Sequence, residues 1–277
     1  MIGALVIVFR EVIEAALVVG IVAAAVKGLP RRGRRVCEGV ALGIAGAAAV
    51  AVGLGFISHL EGGRGQELFQ AAVLLLAGLL LAWHNLYMAS HGRAVARHLT
   101  TLGGEVLAGT APVTMLIGVT AIAVMREGSE VALFLFALVA GGTSGINLLT
   151  GALIGLLCGV AVGFVLYLGL SRISIRRLFQ VSGWIILFIA AGMIARSAEY
   201  LVAIGYLPAL APRIWDSSAL LSGSSIVGRS LSALVGYTPS PSLMQVAVWC
   251  AALLGIGGWM LAIGRRGRFP KAAGQMQ

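Results

Sequence analysis

The chain has 277 residues, 59% hydrophobic and 11% charged, with a formal net charge of +10 and a mean hydropathy of +0.99. A soluble domain carries about 25% charged residues, so this composition excludes an ordinary water-exposed fold and favours a chain that lies largely in lipid. The basic excess sits in short clusters between apolar runs, where it encodes membrane topology and is no nucleic-acid surface.

Seven apolar runs follow in chain order, over 2–26, 36–58, 66–89, 112–140, 146–170, 178–203 and 243–263. Each is long enough to cross about 30 Å of hydrocarbon as a helix. None alternates with period two, and all exceed the length of a barrel strand. The expectation is an all-α polytopic membrane protein with seven transmembrane helices. The first run is too long and too charged for a signal peptide, and it has neither a basic leader nor a small-residue cleavage site; it is expected to be a retained span.

Orientation follows from Lys and Arg. The connections after the first, third and fifth runs, with the tail, hold fourteen of them, including Lys27, Arg93, Arg172 and Arg265. The other side holds three, Arg64, Arg213 and Arg229. The N-terminus is therefore expected outside and the C-terminus in the cytoplasm. The longest polar stretch, about 204–242, falls outside. It is rich in Ser, Gly and Pro, with a short amphipathic helix expected near 225–234 and no separate domain. Cys37, Cys158 and Cys250 show no metal-ligand spacing and are read as small packing residues.

An internal repeat is visible. Arg10-Glu11-x-x-Glu14 recurs 116 residues later as Arg126-Glu127-x-x-Glu130. Gly39-x-x-x-Gly43 recurs as Gly151-x-x-x-Gly155, and Leu68-Phe69-Gln70 as Leu178-Phe179-Gln180. The unit is three helices, about 1–90 and 112–203. An odd unit turns its second copy upside down in the membrane, as in many secondary transporters. The seventh span stands outside the repeat, and the whole chain is one transmembrane domain. The Gly-x-x-x-Gly series reports close helix packing and leaves open whether the contact is within one chain or between copies.

The two charged motifs carry the chemistry. A charged side chain at the bilayer centre costs about 2.5–3.5 kcal/mol, so three together cost about 8–10 kcal/mol if uncompensated. At about 100° per residue, the three charges of each motif lie within a third of the helix circumference. Glu11 and Glu14, like Glu127 and Glu130, are spaced i,i+3 and converge on one cation. Arg10 and Arg126 stand i,i+4 to the second Glu of their motifs and balance it. If the two helices face each other, four carboxylates meet two guanidinium groups, which suits a hard multivalent cation with oxygen ligands. A register-fixing ion-pair cluster is the structural alternative. It leaves the surplus carboxylate of each motif unexplained.

Two Arg-Glu-x-x-Glu motifs, in the first and fourth of seven spans, resemble the oxidase-dependent ferric iron permeases of bacteria and fungi. Arg126-Glu127-Gly128-Ser129-Glu130 matches that family's Arg-Glu-Gly-x-Glu form, whereas Val12 stands where Gly is common in the first motif. The external stretch Ile214-Trp215-Asp216-Ser217-Ser218 through Gly236-Tyr237 and Pro241-Ser242 is similar to the bacterial branch. The resemblance implies Fe³⁺ as the transported substrate, import into the cytoplasm, no resident cofactor and an extracytoplasmic oxidase or iron-delivery partner. Other members have been linked to lead. Lead, manganese and a non-transporting scaffold are the alternatives to iron. No hydrolase, metalloprotease, phosphate-loop or dinucleotide motif is present, so no enzymatic activity is expected.

Other polar residues stand outside the two motifs. Glu199 with Arg196 reads as a local ion pair or a transfer site. Glu67, with His59 and Glu61, forms a solvated rim or an entry site. Asp216 is a turn residue or a docking acid. His84 with Asn85 reads as a polar packing pair, and His91 and His98 as part of an interfacial surface.

Overall fold

The computed structural model describes residues 1–27, 29, 32–58, 64–168, 175–223 and 225–266. Among them the chain forms α1 (Ile2–Ala25), α2 (Arg32–Ser58), α3 (Arg64–Leu107), α4 (Thr114–Ala140), α5 (Gly145–Tyr167), α6 (Ile175–Ala203), α7 (Ile226–Val235) and α8 (Leu243–Arg266), with no strand. Five helices, α2, α3, α5, α6 and α8, are long and apolar enough to cross a membrane. The chain is an all-helical, multi-pass membrane protein. Helices α1 and α4 have comparable lengths, 24 and 27 residues, but each is interrupted by the three charges of its motif.

One expected connection is mostly helix. The connection between the third and fourth runs, 90–111, is helical as far as Leu107, and α3 is 44 residues long in all. No proline interrupts the chain between Arg64 and Ala111. The far part of α3 gains an apolar seam instead: Leu99, Leu102 and Val106 pack with Val22, Val26 and Leu116. Each such burial contributes about 1.5–3 kcal/mol. The helix ends just before Gly109, which takes a φ of 75°.

Two parallel seams organise the bundle. Gly39, Gly43 and Gly46 of α2 lie in turn against Thr120, Val124 and Met125 of α4. Gly151, Gly155 and Gly159 of α5 lie against Ala4, Leu5 and Val12 of α1. A Cβ on Gly43 would sit 2.8 Å from the Ala121 carbonyl oxygen, and one on Gly155 2.5 Å from that of Leu5. Only a residue without Cβ permits this approach. Helices α3 and α6 form a third, antiparallel contact, in which Ser197 Oγ donates to the Ala71 carbonyl at 2.7 Å and Asn85 Nδ2 to that of Gly183 at 3.0 Å.

The two parallel seams trade side-chain bulk. In one, Gly128 of α4 faces Ala47 of α2, and an added Cβ would meet that of Ala47 at 2.6 Å. In the other, the small residue has moved to the partner helix: Gly159 of α5 faces Val12 of α1, and an added Cβ would meet that of Val12 at 2.8 Å. Val12 at the usual glycine position is thus compensated across the seam. Gly128→Val is expected to overpack its seam by about 1–3 kcal/mol. Adding Ala47→Gly should recover part of that loss, because the pair then reproduces the other seam. Thermal unfolding of the detergent-solubilised variants reads both effects; a double variant no more stable than the single one would refute compensation.

The short helix expected near 225–234 is α7. Ser225 Oγ accepts from the Gly228 amide at 2.9 Å, and Gly236 closes the helix at a φ of 72°. Arg196 of α6 donates to Ser232 Oγ at 2.6 Å and also to the Gly141 carbonyl at the end of α4. Trp249 of α8 donates to the Val235 carbonyl at 2.7 Å. The rest of the polar stretch is held by backbone bonds such as Ser217 N to the Pro239 carbonyl, at 2.9 Å.

The three cysteines are free and exposed, which corrects their reading as packing residues. They lie on outward faces of α2, α5 and α8, where a weakly polar thiol is tolerated without a protein neighbour.

Candidate metal centre

The site forms where α1, α3 and α4 meet, next to an apolar cluster. Ile7 of α1, Leu81 of α3 and Phe134 of α4 are buried in that cluster, each about one helical turn from a polar residue of the site. Arg10 Nε donates to Glu14 Oε1 at 2.7 Å, as the i,i+4 spacing predicts. Arg126 behaves differently from expectation. It grips the adjacent Glu127, with Nη2 and Nε at 2.8 and 3.1 Å from Oε1, and stands 3.7 Å from Glu130 Oε1.

His84 of α3 joins the two motifs. Its Nε2 lies 3.0 Å from Glu14 Oε2 and 3.6 Å from Glu11 Oε2. Its Nδ1 lies 2.7 Å from Glu130 Oε2. The reading of His84 as a packing residue is therefore corrected. Asn85 does pack, bonding the α6 backbone, but His84 points the other way, between α1 and α4. The available signal was an ionisable group inside an apolar span, which is a functional position by default.

The ligand atoms of Glu11, His84, Glu127 and Glu130 all lie within 4.8 Å of one another. Arg10, Glu11, Glu14, His84 and Glu127 are buried, whereas the Glu130 and Arg126 side chains are 24% and 45% exposed. Both oxygens of Glu11, Oε2 of Glu127 and Nη1 of Arg10 are buried without a hydrogen-bond partner among the described residues. An unpaired buried carboxylate costs several kcal/mol. A cation among these oxygens removes that cost, so the donor set fits a metal ion better than it fits the protein alone.

The lesser candidates fall elsewhere. Glu199 accepts from Gln245 Nε2 at 3.2 Å, and no ion pair joins it to Arg196 among the described residues. Arg196 is engaged with Gly141 and Ser232 instead. Glu67 is exposed in the first turn of α3, and His59 and Glu61 lie outside the described residues. Asp216 is a turn residue: its Oδ1 accepts from Ser218 N at 3.0 Å and Ser218 Oγ at 2.5 Å, and its Oδ2 pairs with Arg213 at 3.2 Å. Those Ser218 bonds hold its carboxyl below the usual range. His98 is exposed on the far part of α3.

Comparison with known proteins agrees with this architecture. The model of the iron permease FTR1 family matches residues 1–264. The chain belongs to the iron permease FTR1 family. Ferrous iron permease EfeU of Escherichia coli O157:H7 is 34% identical over 254 residues, covering 90% of this chain and 91% of that protein. The protein of the same name from Shigella sonnei (strain Ss046) matches equally, 34% over 254 residues with the same coverage. That from Yersinia pestis is 29% identical over 252 residues, covering 90% and 89%. No solved structure matches the chain. As a family of permeases, these proteins move ions across membranes.

Proposed function

We propose that this permease imports iron through the cell membrane into the cytoplasm, and that the ion binds at the junction of α1, α3 and α4. The observation that carries the reading is the meeting of Glu11, Glu127 and Glu130 in one cluster whose buried oxygens lack partners. Glu14, Arg10 and Arg126 complete the charge balance of the site. Iron is substrate here, not a resident cofactor, and no catalytic step is needed.

In this reading all seven long helices cross the bilayer, and α1–α3 and α4–α6 are inverted copies. The reciprocal pairing of α2 with α4 and of α5 with α1 supports it, because exchange of the two halves turns one contact into the other. The N-terminus is outside and the basic connections are cytoplasmic. Apolar clusters lie beyond the site on either side, one around Phe134 and Leu81, the other around Val26 and Leu102. Alternate opening of the two clusters exposes the ion first to the outside and then to the cytoplasm. An inward-moving charge gains about 2.3 kcal/mol per 100 mV. An extracytoplasmic oxidase or iron-delivery protein supplies the ion at the face formed by α7 and the polar stretch around it.

Oxygen ligands alone favour the ferric ion, whereas the relatives are named for the ferrous one. The imidazole among the carboxylates bears on that choice. The reading is tested with purified protein in liposomes, by influx of radiolabelled iron under an inside-negative potential. Iron entry above that of empty liposomes is expected. Its absence, with protein correctly inserted, would leave the scaffold alternative.

A further inference from the structure

We infer that His84 is a direct ligand of the transported ion, that Glu14 positions its ring, and that the resulting mixed nitrogen–oxygen site selects ferrous iron. This rests on the reading of the cluster as an iron site. Glu14 is already committed. Its Oε1 takes the Arg10 guanidinium at 2.7 Å and its Oε2 faces His84 Nε2 at 3.0 Å. A neutral imidazole donates from one nitrogen and offers the other as a ligand. With the Nε2 proton directed to Glu14, Nδ1 is the nitrogen left for the ion; it stands 2.7 Å from Glu130 Oε2, a contact that a proton closes in the metal-free protein and that a cation held by both atoms would replace. A metal-bound histidine commonly donates its second ring N–H to a carboxylate in this way.

The set that converges is accordingly Glu11, His84, Glu127 and Glu130, not the four glutamates of the two motifs. Both Glu11 oxygens on α1 and one Glu127 oxygen on α4 are unpartnered and buried, and with His84 on α3 three helices each present a donor to the same space. Arg10 and Glu14 form the support behind the ring. Imidazole suits borderline ions such as Fe²⁺ and Zn²⁺, whereas carboxylate and water suit Mn²⁺ and harder ions. One nitrogen in place of one carboxylate also lowers the negative charge of the ligand set, which favours a divalent over a trivalent ion.

The test uses the full-length purified protein with metal alone. In wild type loaded with Cu²⁺ as a probe, pulsed electron paramagnetic resonance should show coupling to an imidazole nitrogen that changes on ¹⁵N-histidine labelling. This measurement needs no variant, so it stands even if substitution at His84 impairs folding. His84→Gln should lose the coupling and bind Fe²⁺, under anaerobic conditions, about 100-fold more weakly or worse, beyond the range for groups that only support a ligand. Mn²⁺ affinity should fall by less than about threefold, since Mn²⁺ gains less from imidazole. Glu14→Gln should keep the nitrogen coupling with altered strength. No nitrogen coupling in wild type, or equal losses of Fe²⁺ and Mn²⁺ affinity in His84→Gln, would overturn the inference. Glu127→Gln separates this from failure of the site itself. Wild-type binding in that variant removes the site as a whole, whereas loss of binding there with none in His84→Gln removes only the role of the histidine.

Discussion

Glu11→Gln should reduce iron uptake by about 100-fold or more while making the metal-free protein more stable. Both effects have one origin. Glu11 is buried in α1 with neither oxygen hydrogen-bonded among the described residues. No hydrogen bond ties its charge to the fold, and in the proposed function that charge serves the ion. Loss of groups that only support a metal ligand costs about 10–100-fold, so loss of a ligand belongs at or beyond the upper end of that range. In the metal-free protein, an unpaired buried ion costs several kcal/mol, against about 1–3 kcal/mol for an unsatisfied neutral amide. The exchange should raise stability by about 1–3 kcal/mol. Iron uptake by cells and thermal unfolding of the solubilised protein measure the two. Glu38→Gln, which removes an exposed partner of Arg34, is the control and should change neither. Wild-type uptake in Glu11→Gln would remove this residue from the site.

Arg10→Met should destabilise the protein more than Arg126→Met, although the two occupy equivalent places in the sequence. Arg10 is 2% exposed and bonded to a buried carboxylate. Removing it leaves Glu14 without its counter-ion, a loss of about 3–5 kcal/mol. That is a large part of the about 5–15 kcal/mol by which a protein is folded at all. The Arg126 side chain is 45% exposed. Its outer face is open, so other polar groups can approach the buried Glu127 when it is removed, and its loss should cost about 1–3 kcal/mol, that of a buried acceptor left unsatisfied. Unfolding midpoints in detergent should therefore fall further for Arg10→Met. Equal shifts would mean that the difference in burial has no energetic consequence.

Local spacing carried much of this into the sequence. The apolar runs locate α1, α2, α4, α5, α6 and α8 to within a few residues, because lipid demands helices of a set length. The Arg10–Glu14 bond follows from i,i+4 geometry within one helix. What lay beyond reach depends on neighbours distant in the chain. His84 is 70 residues from Glu14, and nothing in its local pattern tells which side of α3 faces α1. Arg126 bonds the adjacent Glu127 and stands farther from its i,i+4 partner Glu130, which helix spacing alone does not indicate. The extension of α3 past Ala89 was hidden by its polar composition, which reads as a loop until Leu99, Leu102 and Val106 find an apolar partner surface. Glu199 and Arg196 share a helix yet serve different neighbours.

The exchange of bulk between Val12–Gly159 and Ala47–Gly128 bears on ancestry. If a fused pair of identical chains preceded this protein, its two seams had the same residues at both places. A chain rebuilt from two copies of the first half would set Val12 against Ala47 at both, and one rebuilt from two copies of the second half would set glycine against glycine. The first is too crowded and the second hollow. Each half now fits only the other, and a reversion to a symmetric ancestor requires changes on both sides of a seam together.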